Sequence, residues 1–382
     1  MTPGGVFVTG AQRTGTTLLE RLLGGHPRLS ILSQPFPLVF VEVKRQFLQS
    51  LGATPADVRY PLGHLFLEGR YTPADFAAFL SGYRPDAGAL RRLFGDMAAF
   101  SGQYTRQEPN RVAAVLEALE PGDFAATAAQ LYRAFATKPD ADRFGGKETI
   151  CEEFLPYLLD RGWACLVIVR DPRDVLASLN HGRGPEVAGR LKPTLFNLRN
   201  WRKSVAFALH LEAHPCFAWV RYEDLVRHPA AALAPVAAAA GVSPFSDAML
   251  AAPLRDASGV PWSGNSSHGL HRGLSERSVG LHRGLLRPEV VTYIEAACYP
   301  ELRCLGYPVS IDPADIPAVL STFGEPYEIR REGLLGYSTD PAHVAAEIRR
   351  LALLHERPGE GTRPYFLFED VHARLRRAVE PG

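Results

Sequence analysis

The sequence predicts an α/β protein with a central parallel β-sheet flanked by helices, a P-loop-like first turn and a small C-terminal appendage. Three short runs carry this prediction: Val6–Thr9, Trp163–Val169 and Cys216–Val220. Each is followed by a polar turn and then a helical pattern, and strand followed by helix, repeated, argues for parallel strands covered by helices. The first run opens directly into a glycine turn and a helix, and no internal repeat divides the chain into modules.

The first strand ends in Thr9-Gly10-Ala11-Gln12-Arg13-Thr14-Gly15-Thr16-Thr17, after which Leu18–Leu23 runs as a helix closed by Gly24-Gly25. The N–H groups of a helix's first turn lack intrahelical partners and the macrodipole is positive there, so this strand, loop and helix N-terminus form an anion cradle. The spacing approaches GxxxxGK[ST], but Thr16 stands where a nucleoside-triphosphate loop carries lysine, and Arg13 supplies the positive charge instead. From about Gln46 to Arg143, aromatic residues such as Phe66, Tyr71, Phe76, Phe79, Phe124 and Phe135 recur at mostly helical spacing. They read either as core or as helices that roof a site.

Gly145-Gly146-Lys147-Glu148-Thr149 precedes the second strand. Only five of the 42 basic residues are lysines (Lys44, Lys138, Lys147, Lys192 and Lys203), so a lysine here marks a place where arginine would not serve. Lys147 offers a compact cation able to follow a charge as it moves. Arg170 follows the strand Ala164–Val169, at the carboxyl end where open α/β sheets bind ligands. Asp171 suits an N-cap, Pro172 the first helical position and Asp174 the third, and Ser178 falls two turns along the same helix. Val220-Arg221-Tyr222-Glu223-Asp224-Leu225 presents an aromatic face after the third strand. Beyond about Asp312, prolines and glycines break the texture, so residues 1–311 are expected to form the main domain and 312–382 the appendage, with helices over about Ala342–Leu354 and Glu369–Ala378.

Composition narrows the function. With 382 residues and 46% hydrophobic content the chain can bury a sizeable core. Forty-two Lys+Arg against 41 Asp+Glu leave +1, so no global field draws it to nucleic acid or an anionic membrane, and any anion must be held locally. The apolar stretches are far shorter than the ~20 residues that span a bilayer, and no signal-peptide pattern follows Met1, so a cytoplasmic protein is expected. Cys151, Cys165, Cys216, Cys298 and Cys304 are odd in number and widely spaced, which indicates buried thiols rather than disulfides or a zinc ribbon. His268, His271 and His282 read as a solvated loop, so no metal site is expected.

Together the glycine loop, Arg170 with Ser178, the Tyr222–Leu225 run and the later Ser278-Val279-Gly280-Leu281-His282-Arg283 stretch resemble the sulfotransferases that use 3'-phosphoadenosine 5'-phosphosulfate, in their bacterial form, over roughly residues 5–307. The resemblance implies that Thr14, Gly15, Thr16 and Thr17 hold the 5'-phosphate and sulfate, that Arg13 stabilises the bridging oxygen as the S–O bond breaks, and that Lys147 lies near the transferring group. It implies that Arg170 and Ser178 bind the 3'-phosphate, with Arg277 or Arg283 as a later contact, and that Tyr222 meets the adenine. The reaction implied is transfer of the sulfuryl group to a hydroxyl of a small acceptor, a carbohydrate, lipid or secondary metabolite, without a metal.

Departures leave alternatives open. Leu18 stands where cytosolic members carry a stacking tryptophan, and Thr149 and Gln34 stand where two branches carry their base. Glu42, Glu148 and His64 remain as candidate bases. A nucleotide-binding pseudoenzyme of the same fold is the alternative, and a P-loop kinase a more distant one.

Overall fold

The computed structural model describes residues 4–54, 58–63, 71–97, 105–182, 191–256, 259–262, 264 and 273–380. Five strands, β1 (Val6–Thr9), β2 (Leu29–Ser33), β3 (Arg143–Lys147), β4 (Ala164–Val169) and β5 (Phe217–Arg221), pair in parallel in the order β2-β3-β1-β4-β5. The third expected strand is displaced by one residue, from Cys216–Val220 to Phe217–Arg221. Two strands have no counterpart in the sequence reading. Of these, β3 lies between β1 and β2, with Val6 opposite Gly145 and Val8 opposite Lys147.

Gly145 and Gly146 disguise this strand, because glycine is depleted in sheets. The packing nevertheless requires them. A Cβ on Gly145 would lie 1.7 Å from the Val6 carbonyl oxygen, and one on Gly146 would lie 2.3 Å from the Tyr132 ring. On the other side of β1, every residue of β4 is fully buried, as a continuous apolar strand between covering layers should be. Because β1 is central, with β3 and β4 on either side, the chain reverses direction across it, and the crevice beyond the carboxyl end of β1 is the topological switch point.

Helices α1 (Thr16–Gly25), α2 (Pro37–Ser50), α3 (Pro73–Gly82), α4 (Ala87–Asp96), α5 (Pro109–Glu117), α6 (Phe124–Ala134) and α7 (Leu155–Asp160) precede β4. After it come α8 (Pro172–Asn180), α9 (Thr194–Leu211), α10 (Tyr222–Arg227), α11 (Pro229–Ala240), α12 (Asp247–Ala251), α13 (Pro288–Ala297), α14 (Tyr299–Cys304), α15 (Ile316–Thr322), α16 (Pro341–Leu353) and α17 (Glu369–Val379).

The chain divides into two compact units. The first comprises Met1–His64, Tyr71–Val169 and Leu211–Glu276 and contains the sheet. Its helical segment is aromatic core: Phe40, Phe76, Phe124 and Phe154 are buried, with ring centroids about 5 Å apart in edge-on and tilted pairs. Burying each such side chain contributes roughly 1.5–3 kcal/mol. Lys44 is buried among these rings, with its ammonium 4.5 Å from the centre of Phe76, 2.7 Å from the Tyr71 hydroxyl and paired with Glu153. A guanidinium fork would not fit this role as compactly.

The second unit contains Arg170–His210 and Arg277–Gly382. Residues on both sides of position 312 pack within it. Arg199 and Arg202 of α9 pair with Glu347 of α16, the former at 2.8 Å. Burial opposes ionisation of Glu347, but the Arg202 and Arg199 charges overcome it and hold the carboxyl down to about 2. The five cysteines are free thiols, three of them fully buried.

Candidate functional site

In the first unit the residues after three adjacent strands converge. Among the described residues only Arg13, Gln34 and Ile150 have positive φ without being glycine, at 65°, 46° and 62°. They follow β1, β2 and β3 respectively. Such conformations cost on the order of 1–3 kcal/mol each and persist where surrounding bonds over-determine them. Those bonds are present: Gln34 N donates to the Lys147 carbonyl at 2.7 Å, Ile150 N to the Gly10 carbonyl at 3.0 Å, and Cys151 N to Thr9 Oγ1 at 3.0 Å.

Within the loop, Thr14 Oγ1 donates to the Ala11 carbonyl at 2.8 Å, which fixes the turn from inside. Gly15 has φ 104° and caps α1 with no side-chain hydrogen bond to the first turn. A Cβ on Gly15 would meet Tyr222 Cδ2 at 2.6 Å, so the Tyr222 ring lies directly against the loop. Glycine is required here both for the conformation and for this approach. Thr14 and Thr16 are buried, and Arg13 and Thr17 half-buried. The expected loop residues and Tyr222 are therefore brought together.

Lys147 ends β3 almost wholly buried, with Nζ donating to Gln34 Oε1 at 2.8 Å. Burial pushes its ammonium down, against the pull of the Glu20 and Glu148 carboxylates. Glu20, on α1, escaped the sequence reading. It is buried beside Arg21, Lys147 and Ser33, and burial pushes its carboxyl up despite the neighbouring cations. Its position four residues after Thr16 is the signal that placed it on the same helical face.

Of the candidate bases, Glu148 is buried with Oε1 accepting from Phe36 N at 3.0 Å, and burial pushes its carboxyl up to about 8. Burial thus favours its protonated form. Glu42 is half-exposed, paired with Arg45 and accepting from Gln46 Nε2 at 3.0 Å. His64, and with it His268 and His271, lies outside the described residues.

The second unit carries a separate cluster. Arg170 is buried, donates to the Ser278 carbonyl, and lies 3.8 Å from Asp174. Its own carbonyl accepts from Trp201 Nε1 at 2.7 Å. Asp171 caps α8 by accepting from Arg173 N at 2.9 Å, as its position predicts, and Ser178 lies on that helix, buried. Asp174 accepts from Gly280 N at 2.7 Å, His282 N at 2.9 Å and His282 Nδ1 at 2.7 Å. Burial opposes its ionisation, but the His282 hydrogen bonds and the Arg170 charge hold the carboxyl below its usual range.

The solvated-loop reading of His282 is thus corrected: the ring is buried because Asp174 accepts from it. Asp174 thereby ties the start of α8 to residues 280–282. Arg277 and Arg283 flank this junction, both exposed. Among the described residues no group of three or more His, Cys, Asp or Glu side chains is placed to hold a metal, and no helix is long and apolar enough to cross a membrane.

A glycine loop feeding a helix N-terminus at the switch point of a parallel sheet defines an α/β protein with an anion cradle. Residues 3–68, which include β1, that loop, α1, β2 and α2, match the profile of the sulfotransferase family.

Among solved structures, the chain is similar to the sulfotransferase domain from the curacin biosynthetic pathway at 18% identity and TM-score 0.35, over 91% of this chain and 98% of that one. It is similar to the sulfotransferase domain of the Synechococcus PCC 7002 olefin synthase at 18% identity and TM-score 0.33, over 88% and 94%. It is also similar to a sulfotransferase from Mycobacterium avium at 15% identity and TM-score 0.29, over 65% and 66%. Comparison with the curated proteins finds no match.

Proposed function

We propose that this chain transfers a sulfuryl group from 3'-phosphoadenosine 5'-phosphosulfate to a hydroxyl of a small-molecule acceptor. The observation that carries the reading is the contact between the strained, uncapped loop at Gly15 and the Tyr222 ring, which joins an anion cradle to an aromatic face. The loop N–H groups with Thr14, Gly15, Thr16 and Thr17 would hold the 5' end, Tyr222 the adenine, and Arg170 with Ser178 the 3'-phosphate, with Arg277 or Arg283 beside them. The co-substrate supplies the activated sulfuryl group.

In-line transfer between oxygens asks the protein for position and charge rather than covalent chemistry. Arg13 would meet the negative charge that grows on the leaving phosphate oxygen. Lys147, kept buried and aimed by Gln34, would follow that charge without being screened by water. For the acceptor's proton, Glu148 is poorly suited because burial favours its protonated form. Glu42 is the better of the two carboxylates.

The test is calorimetric titration of the whole chain with adenosine 3',5'-bisphosphate and, separately, with ADP and magnesium. We expect preference for the bisphosphate, lost in Arg170→Ala. Preference for ADP, or no binding of either, would overturn the reading.

A further inference from the structure

A second cationic site lies wholly within the second unit, unused by the proposed reaction. A cavity of about 60 Å³ opens between α9, α16, α17 and the segment before α17; most of its wall is apolar or aromatic, and its charged lining is Arg199, Arg202, Lys203 and Arg350 with a single carboxylate, Glu301. Arg199 and Arg202 spend their hydrogen bonds on Glu347, on the Ala297 and His343 carbonyls and on the Tyr337 hydroxyl. Their side chains stay buried, as does Lys203.

Arg350 is different. Its Nη2 donates to Glu301 and its guanidinium lies 4.7 Å from the centre of Phe366, but Nη1 is buried with no hydrogen-bond partner among the described residues. A buried, charged donor left unpaired carries the full cost of its desolvation, so such a group in a native protein calls for a partner, an ordered water or an ion. Burial and the like charge of Arg202 push the Arg350 guanidinium down, against the pull of Glu301.

The cavity is large enough for several water-sized atoms. Its cations come from two helices, α9 and α16, and outnumber the lining carboxylate, which suits a multiply charged oxyanion better than a monocarboxylate.

We propose that this cavity binds a small tetrahedral oxyanion, phosphate or sulfate, through Arg350 and Lys203. The ion completes the hydrogen bonding of Arg350 and ties α9 to α16. The site is formed without the glycine loop, so it does not depend on the proposed reaction.

The test is calorimetric titration of the full-length chain with inorganic phosphate, sulfate and acetate in parallel. Wild type and Arg13→Ala should share one saturable phosphate or sulfate site beyond any at the glycine loop and Arg170, with acetate at least tenfold weaker there. Arg350→Met should weaken that site at least tenfold. Lys203→Met gives an independent reading should Arg350→Met fail to fold, and the same weakening is expected. The same number and strength of sites in both Met variants as in wild type, binding lost only in Arg13→Ala, acetate binding as tightly as phosphate, or no saturable binding would each overturn the proposal. The stronger of the phosphate and sulfate arms identifies the ion.

Discussion

The two clusters hold their shape by different means. In the first unit the backbone does the holding: Arg13, Gln34 and Ile150 are kept at positive φ, and Gly15 admits the Tyr222 ring because it has no Cβ. In the second unit side chains do it: Asp174 gathers Gly280 and His282 while Arg170 holds the Ser278 carbonyl. A backbone-built cradle presents N–H groups at fixed positions and tolerates no added atom. A side-chain network should fail by degrees, as each hydrogen bond is lost.

The largest expected effect is chemical. Arg13→Ala should lower sulfuryl-transfer turnover by about 10²–10³ with the fold intact, the loss of ~2.7–4 kcal/mol that removal of an oxyanion donor brings. Turnover within about threefold of wild type would remove Arg13 from the proposed mechanism.

Gly15→Ala comes next. It should lower turnover by about 10², since a displacement of 1 Å suffices for that, and lower unfolding free energy by about 1–3 kcal/mol, read from thermal melts. Adding Tyr222→Ala relieves the 2.6 Å contact but leaves the φ of 104°. The double variant should therefore regain part of the stability and none of the adenine contact. Full recovery of stability would show that the ring contact alone demands glycine.

Asp174→Asn tests the second cluster. Losing the charge that faces His282 and Arg170 should cost about 1.5–3 kcal/mol. It should also weaken binding of adenosine 3',5'-bisphosphate several-fold, whereas the loop variants should leave the α8 junction intact. An unchanged melting point in Asp174→Asn would mean that this junction does not depend on the carboxylate.

The last effect is a change of slope rather than of turnover or binding. Between the ordinary carboxylate value of 4.5 and about 8, the unfolded chain has lost the proton that Glu148 keeps in the folded state. Stability from this group therefore falls as pH rises through that window. Denaturant melts of Glu148→Gln from pH 5 to 8 should show a shallower fall than wild type. An identical fall would place the Glu148 carboxyl in a more open setting than its contact with Phe36 N shows.

Much of this was legible in the chain. The strands Val6–Thr9 and Ala164–Val169, the helix after the glycine loop and the Asp171-Pro172 start of α8 are local signals, and each element lies where they put it. Lysine scarcity singles out Lys147, which is buried at the end of β3. Lys44 and Lys203 are buried just as deeply. Strand β3 was hidden because its glycines answer to Val6 and Tyr132, which are distant in sequence. Asp174 announced its place at the start of a helix and nothing of its bonds to residues 280–282, because those partners lie more than a hundred positions on.

What the sequence determined by itself is whatever neighbouring residues settle among themselves: the strand-loop-helix cradle, the capped start of α8, the near-neutral charge and the lysines kept among arginines. The tertiary structure alone decided the order β2-β3-β1-β4-β5, the Tyr222 ring on Gly15, the Gln34 clasp on Lys147 and the buried arginine cluster around Glu347. The division has a physical cause. Capping and turn geometry act over a few residues, whereas desolvation, close approach and the pairing of buried charges depend on which distant segments the fold brings together.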